Sequence, residues 1–166
     1  MNIKFFTTAF LAASAILFSG CPTGIGYPAG YPGKEKIDKD LVGTWSTPDE
    51  EKEIKLVRIS RIDDFSLKAE VLETGSMYSL EAKEFTGWCT EIGGMKFVYW
   101  QPVSETEHDY FLYSYKIKGN NMESYDVSLL DGGIDAVTSV ESYRDQIATS
   151  IKMTGGISDT IKWSRN

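Results

Sequence analysis

The chain has 166 residues, with 24 acidic and 17 basic side chains and a net charge of −7 when its single histidine is neutral. Nucleic acid and anionic lipid attract clustered positive charge, so we expect no nucleic-acid partner and no charge-driven membrane binding. The two cysteines, Cys21 and Cys89, are too few for a disulfide framework. Stability must come from a hydrophobic core, which a chain of this length can form.

The first twenty residues have the pattern of a secretory signal. Lys4 precedes an uncharged, largely apolar stretch over residues 5–18, and the small residues Ser19 and Gly20 follow it. This stretch is too short to cross a bilayer core comfortably. We therefore predict a removed signal peptide over residues 1–20, in preference to a buried N-terminal helix.

A cysteine directly follows this segment, in the sequence LFSGC over residues 17–21. These five residues resemble the lipobox of bacterial lipoproteins, although Phe18 replaces the usual aliphatic residue. The resemblance implies that Cys21 becomes the first residue of the mature protein and carries acyl chains, the alternative being a free or disulfide-bonded thiol. Two or three chains bind a membrane stably, whereas one binds only marginally. The implied location is the cell envelope, and the outer membrane in a cell with two membranes, since Pro22 lacks the aspartate associated with inner-membrane retention.

The segment after the cysteine, residues 21–37, is rich in glycine and proline and contains Gly-Tyr-Pro twice. Proline at this density excludes a helix or a central strand. We predict a spacer of about 50 Å when extended, in which Tyr27 and Tyr31 either rest at the membrane or fold back. A single domain then follows over residues 38–166.

Within that domain apolar and polar residues alternate, which is typical of half-buried strands. The turn at Gly119–Asn121 between two such runs predicts a hairpin. We predict an all-β fold of about eight mostly antiparallel strands in a meander, near residues 41–45, 53–62, 65–73, 76–85, 95–101, 110–118, 122–130 and 159–163.

The alternation assigns aromatic side chains to a shared interior of these strands. Because side chains of a strand point alternately to its two faces, one set must face the core. The predicted interior residues are Phe97, Tyr99, Phe111, Tyr113, Tyr115 and Tyr125.

One segment changes its period from two residues to between three and four. Val140, Tyr143, Ile147 and Ile151 form a helical stripe, and we predict a helix over about 138–153, before the last strand. Thr138 and Glu141 have the spacing of a capping box. The helix should pack on the outside of a barrel or close one end.

The layout resembles lipocalin-like barrels at Gly43-Thr44-Trp45 in the first strand and Arg165 in the last. In that family the tryptophan closes the barrel floor and a C-terminal arginine packs across its indole. The resemblance therefore implies a closed barrel and structural roles for Gly43, Trp45 and Arg165, the alternative being an ordinary core tryptophan and a solvated arginine. The predicted helix departs from the family, which usually completes eight strands before its helix.

No residue pattern predicts catalysis, a metal or a cofactor. Cys89, His108 and Asp109 would have to meet for thiol chemistry, and we expect instead a buried thiol and an exposed histidine. We therefore expect a non-enzymatic protein, either a module that binds a small apolar or lipid-like ligand in its barrel or an envelope scaffold or protein-interaction module with a filled core.

Overall fold

The computed structural model describes residues 24–49, 52–76, 78, 83–104 and 108–166. The predicted signal peptide and Cys21 lie outside these residues. In the described part of the chain, eight antiparallel strands in sequence order form a closed barrel. The predicted all-β fold and the helix before the last strand are confirmed. The strands are β1 (Gly43–Ser46), β2 (Ile54–Arg61), β3 (Leu67–Thr74), β4 (Glu84–Ile92), β5 (Met95–Pro102), β6 (Phe111–Lys118), β7 (Asn121–Val127) and β8 (Ile157–Arg165); the helix is α1 (Val140–Ser150), and short 3-10 helices occupy Lys39–Leu41 and Ile134–Ala136.

The barrel has two different ends. At the lower end are the turns that join β2 to β3, β4 to β5 and β6 to β7, together with the chain that enters β1. At the upper end β2, β4, β6 and β8 begin, and longer connections cross. An eight-stranded barrel is only wide enough for its own side chains or for one small ligand. The two ends matter because a ligand could enter only through one of them.

The fourth strand differs from the sequence prediction. It spans Glu84–Ile92 rather than residues 76–85, of which 77 and 79–82 lie outside the described residues. Gly87 in its centre weakens the strand signal, because glycine disfavours strands. The structure uses Gly87 for packing: a Cβ atom there would lie 2.2 Å from ring carbons of Trp100 on the paired strand β5. The barrel interior therefore requires a residue without a side chain at this position.

Helix α1 packs on the outer wall of the barrel. Its Tyr143 and Ile147 are buried there, as the apolar stripe predicts. The predicted capping box is wrong by one residue, since Ser139 is the N-cap and exchanges hydrogen bonds with Ser142. Both pairs have the same spacing, which is why the sequence did not distinguish the two frames.

The first strand and the last strand close the barrel around Trp45. They share the pairs Trp45–Arg165 and Ser46–Ser164. The Trp45 indole is fully buried and donates a 2.8 Å hydrogen bond from Nε1 to the Leu41 carbonyl oxygen. The Arg165 guanidinium lies 4.5 Å from the ring centroid, so the predicted contact is present. The Arg165 stem crosses Gly43, where an added Cβ would lie 3.5 Å from Cδ.

We expect Arg165→Ala to lower the free energy of unfolding, because it removes a partly desolvated cation–π contact of about 1–2 kcal/mol. It also removes the 2.6 Å hydrogen bond to the Asp40 carbonyl oxygen. In a Trp45→Phe background the cost should be clearly smaller. Denaturant unfolding of the four proteins in a double-mutant cycle measures the coupling, and strictly additive costs would contradict the contact.

Candidate functional site

The interior of the barrel is lined by buried side chains from all eight strands. Opposite residues of paired strands point to the same face, so the pairing register assigns each side chain to the inside or the outside. The interior cluster is formed by Ile37, Leu41, Trp45, Val57, Ile59, Leu67, Ala69, Cys89, Val98, Trp100, Tyr115, Met122 and Trp163.

Three of the six predicted interior residues face inward, and all three are on β6. Tyr115 belongs to the interior cluster, and Tyr113 packs against it. Phe111 lies opposite Trp100 and therefore shares its inward face. On β6 the alternation gave the correct face because Lys116 and Lys118, on the other face, require solvent.

The prediction is wrong for Phe97, Tyr99 and Tyr125, which face outward. Phe97 and Tyr99 belong to an outer cluster with Tyr143 and Ile147 of helix α1. Tyr125 lies on the outside of β7, where its hydroxyl donates to Glu123.

The sequence also missed several interior residues, and β5 shows the reason. Phe97, Val98, Tyr99 and Trp100 are all at least nine-tenths buried, because the outer face of β5 is covered as well as the inner one. A strand buried on both faces carries no alternation from which to choose the inner set. The cross-strand pairs of Val98 with Cys89 and with Tyr113 identify Val98 and Trp100 as the inner residues.

Polar groups seal the lower end of the barrel. Lys96 forms a 2.7 Å ion pair with Asp38, and the Tyr115 hydroxyl donates to the same carboxylate at 3.2 Å. Burial opposes ionisation, but the Lys96 ammonium and the Asp40 amide nevertheless lower the pKa of Asp38. The Ile37 amide also donates to the Asp64 carbonyl in the turn between β2 and β3. The chain entering β1 is thus fixed across this end.

The inward-facing side chains near the upper end differ in burial: Val71 and Pro102 are buried, whereas four others are partly exposed. Leu41, Trp45 and Leu67 have at most 1% of their surface exposed. By contrast, the inward-facing side chains near the beginnings of strands at the upper end are only partly buried: Ile54 on β2, Phe85 on β4, and Phe111 and Tyr113 on β6. These apolar and aromatic side chains are therefore not fully enclosed at the upper end.

Asp126 adds a carboxyl group to the upper part of the interior. Asp126 lies opposite Tyr113 and so points inward at the end of β7. Desolvation by burial, and then the charge of Asp159, raise the pKa of Asp126 to about 6 against the smaller opposing effect of Lys52. At neutral pH the upper interior thus combines aromatic rings with a carboxylate.

The structure separates the residues that thiol chemistry would need. Cys89 lies in the interior cluster, where burial raises the pKa of its thiol. Its sulfur accepts a hydrogen bond from the Asp38 amide at 3.3 Å. His108 and Asp109 are exposed in the connection before β6, outside the barrel wall. A buried thiol with a raised pKa is a poor nucleophile.

Comparisons of the chain with protein-family models, with curated proteins and with solved structures gave no match. Across the described residues, His, Cys, Asp and Glu side chains do not gather in a group of three that could hold a metal ion. None of the helices described has both the length and the apolar character needed to cross a membrane. The lining of the barrel is the basis for assigning a function.

We expect Asp126→Asn to stabilise the protein at pH 8, where the native side chain is ionised in a partly desolvated place. After allowance for solvent screening the gain should be about 1 kcal/mol. The folded pKa lies above the ordinary value of 3.8, so the penalty is complete above about pH 6, declines as the pH falls from 6 towards 4, and is absent at lower pH.

The thermal midpoints of the variant and the parent should therefore differ at pH 8 and converge at pH 4. Asp145→Asn on the exposed face of helix α1 is the matched control, and its midpoint should follow the parent at both values. An Asp126→Asn protein less stable than the parent at pH 8 would mean that the carboxylate has a stabilising partner.

Proposed function

We propose that this protein is a lipoprotein of a bacterial envelope, anchored through Cys21, whose barrel takes up one small apolar or lipid-like molecule through its upper end without catalysing a reaction. The observation that carries this proposal is the contrast between the two ends. A sealed lower end and partly exposed aromatic side chains at the upper end are the arrangement of a pocket with one mouth. Ligand pockets are mostly apolar, with a few polar groups that orient the ligand.

The lining supports an apolar ligand with one polar group. Phe85, Phe111 and Tyr113 offer ring surface to a hydrocarbon or an aromatic body. Asp126 supplies a carboxylate opposite Tyr113, which can accept hydrogen bonds from a hydroxyl or amine at one end of the ligand. A fatty acid is disfavoured in this orientation, because two carboxylates would repel each other.

The anchor is supported by the sequence LFSGC over residues 17–21, which follows an apolar segment too short to span a bilayer. Cys89, the other cysteine, is buried in the barrel as a free thiol. An exported domain built without a disulfide is consistent with Cys21 being used for acylation.

A scaffold with a filled barrel is the second candidate, and the large rings inside the barrel favour it. Trp45, Trp100 and Trp163 are all more than 90% buried in the interior cluster. In this candidate the upper aromatic residues complete the core, and the protein acts through its outer surface on a partner in the envelope.

Narrowing the barrel at Ala69 distinguishes the two candidates. Ala69 belongs to the interior cluster and lies opposite Phe85, whose side chain is partly exposed. In a hollow barrel, Ala69→Trp should fill the pocket with little loss of stability and abolish uptake of N-phenyl-1-naphthylamine, a neutral apolar fluorophore. Leu72→Trp, on the same strand but 44% exposed, is the matched control and should leave uptake unchanged.

A filled barrel gives the opposite result. The parent should then show no fluorophore uptake, and Ala69→Trp should cost about 1–3 kcal/mol because it overpacks the core. Titration of the fluorophore together with denaturant unfolding measures both quantities, and this second outcome would leave the scaffold.

The anchor is tested by Cys21→Ser in the full-length chain. We expect the parent to incorporate a radiolabelled fatty acid and to partition into the detergent phase, because two or three acyl chains hold it in lipid. The variant should lose both properties. Cys89→Ser is the control that keeps Cys21, and a Cys21→Ser protein that stays labelled and membrane-bound would refute the anchor.

A further inference from the structure

The segment predicted to be a free spacer is packed against the barrel in its described part, residues 24–37. Ile25 and Tyr110 exchange backbone hydrogen bonds of 3.0 and 2.9 Å, so the segment pairs briefly like a strand. Ala29 is completely buried in the outer cluster. A Cβ at Gly30 would lie 3.1 Å from the Thr90 hydroxyl and 3.3 Å from the Tyr99 ring, so the backbone lies directly on the wall. We call residues 24–37 the strap.

Two charged side chains hold the strap onto β4. Arg144 of helix α1 donates to the Ala29 carbonyl and to the Thr90 hydroxyl, both at 2.8 Å, and to the Glu91 carbonyl at 3.0 Å. Glu35 of the strap accepts from the Thr90 hydroxyl at 2.5 Å and from the Glu91 amide at 3.2 Å. Hydrogen bonds to charged groups are stronger than neutral ones, and these contacts join strap, strand and helix.

The position of Gly24 limits the distance between the barrel and residue 21. Gly24 lies against Asp109, next to Tyr110 and β6. Three residues span at most about 11 Å when fully extended. An acyl group on Cys21 therefore brings the upper end of the barrel close to the lipid, and no long spacer intervenes.

The surface around this point has the side chains that membrane interfaces favour. Tyr27 is 40% exposed, and Val103, which directly follows β5 at the upper end, is 59% exposed. Tyr31 lies further along the strap, where it is 49% exposed and its hydroxyl donates to Glu141 of helix α1. Trp88 and Tyr110 are partly exposed, and both pack with Tyr99, at ring distances of 5.6 and 6.1 Å. Tyrosine and tryptophan are enriched at membrane–water interfaces, because each has an apolar ring with a polar tip.

We infer that the upper end of the barrel, where the strap begins beside Tyr110, lies against the lipid headgroups and holds the upper mouth at the membrane surface. The inference rests on the acylation of Cys21 proposed above. The acidic Asp109 beside Gly24 and the negative charge of the chain favour zwitterionic over anionic lipid at the contact. Because Phe111 directly follows Tyr110, the mouth is then positioned to exchange its ligand with the bilayer.

The orientation is tested with the acylated full chain, purified from membranes and reconstituted into phosphatidylcholine vesicles that contain a rhodamine-labelled lipid. A donor dye is placed on Val103→Cys at the upper end or on Asn120→Cys at the lower end, both exposed positions. Protein without an added cysteine gives the background from buried Cys89. We expect severalfold more efficient energy transfer from position 103 than from position 120.

Releasing the strap should remove this difference. Gly30→Val introduces a side chain where the strap backbone lies directly on Thr90 and Tyr99. Gly26→Val is the matched control, because a Cβ there would lie 3.9 Å from its nearest neighbour, Asp109. Arg144→Ala releases the strap without adding volume. In both release variants, transfer from the two positions should become equal, and the control should keep the difference.

Mass spectrometry of the N-terminus keeps the two proposals separate. Equal transfer from both positions in an acylated protein with an intact strap would overturn the orientation and leave the anchor standing. An unacylated N-terminus would refute the anchor and the orientation with it. The comparison of positions 103 and 120 does not depend on whether the strap variants fold.

Discussion

The indole of Trp45 lies where the first strand, the last strand and the chain below the barrel meet. A fully buried indole needs a partner for its N–H group, and the Leu41 carbonyl oxygen supplies it at 2.8 Å, which fixes the chain across the lower end. Arg165 covers the ring from β8, so β1 and β8 are joined through side chains as well as through their short ladder. The other strands pair with their neighbours in the sequence, and this contact reinforces the closure between β1 and β8. The chain that enters β1 is therefore fixed across the lower end, and no equivalent segment is described across the upper end.

The features that could be predicted from the sequence are those in which one face of an element meets water. Helix α1 and strand β6 have one polar face, so their periods are clear. On β7 the inward face carries the polar residues Ser124 and Asp126, so the aromatic Tyr125 was assigned to the wrong face. Prediction failed where burial or backbone packing was involved. Phe97 and Tyr99 were assigned to the wrong face because β5 is covered on both sides. Strand β4 was misplaced because it contains Gly87, which weakens the strand pattern but leaves the space that the Trp100 ring occupies. The strap has the composition of a free linker, and only the tertiary contacts of Ala29 and Arg144 show that it is fixed.

Helix α1 and the strap, which cover the outer face of β5, also connect the fold with the proposed function. The outer wall carries helix α1 and the strap, and the strap leads to the proposed lipid-bearing residue. The interior carries partly exposed aromatic rings and Asp126 at the upper end, and Phe111 directly follows Tyr110, which pairs with the strap. A pocket whose mouth lies beside the bilayer suits an apolar ligand, because such a molecule is concentrated in lipid and rare in water. In the proposed arrangement, the acyl anchor, the start of the strap and the upper mouth lie together.

The central claim, that the upper half of the barrel holds a small apolar molecule, is tested most directly by native mass spectrometry of the protein extracted from its own membrane. We expect the acylated chain to carry one additional small molecule, and we expect Ala69→Trp to remove that mass while Leu72→Trp retains it. An acylated, folded parent that shows only its own mass would contradict the claim and favour a barrel filled by its own side chains.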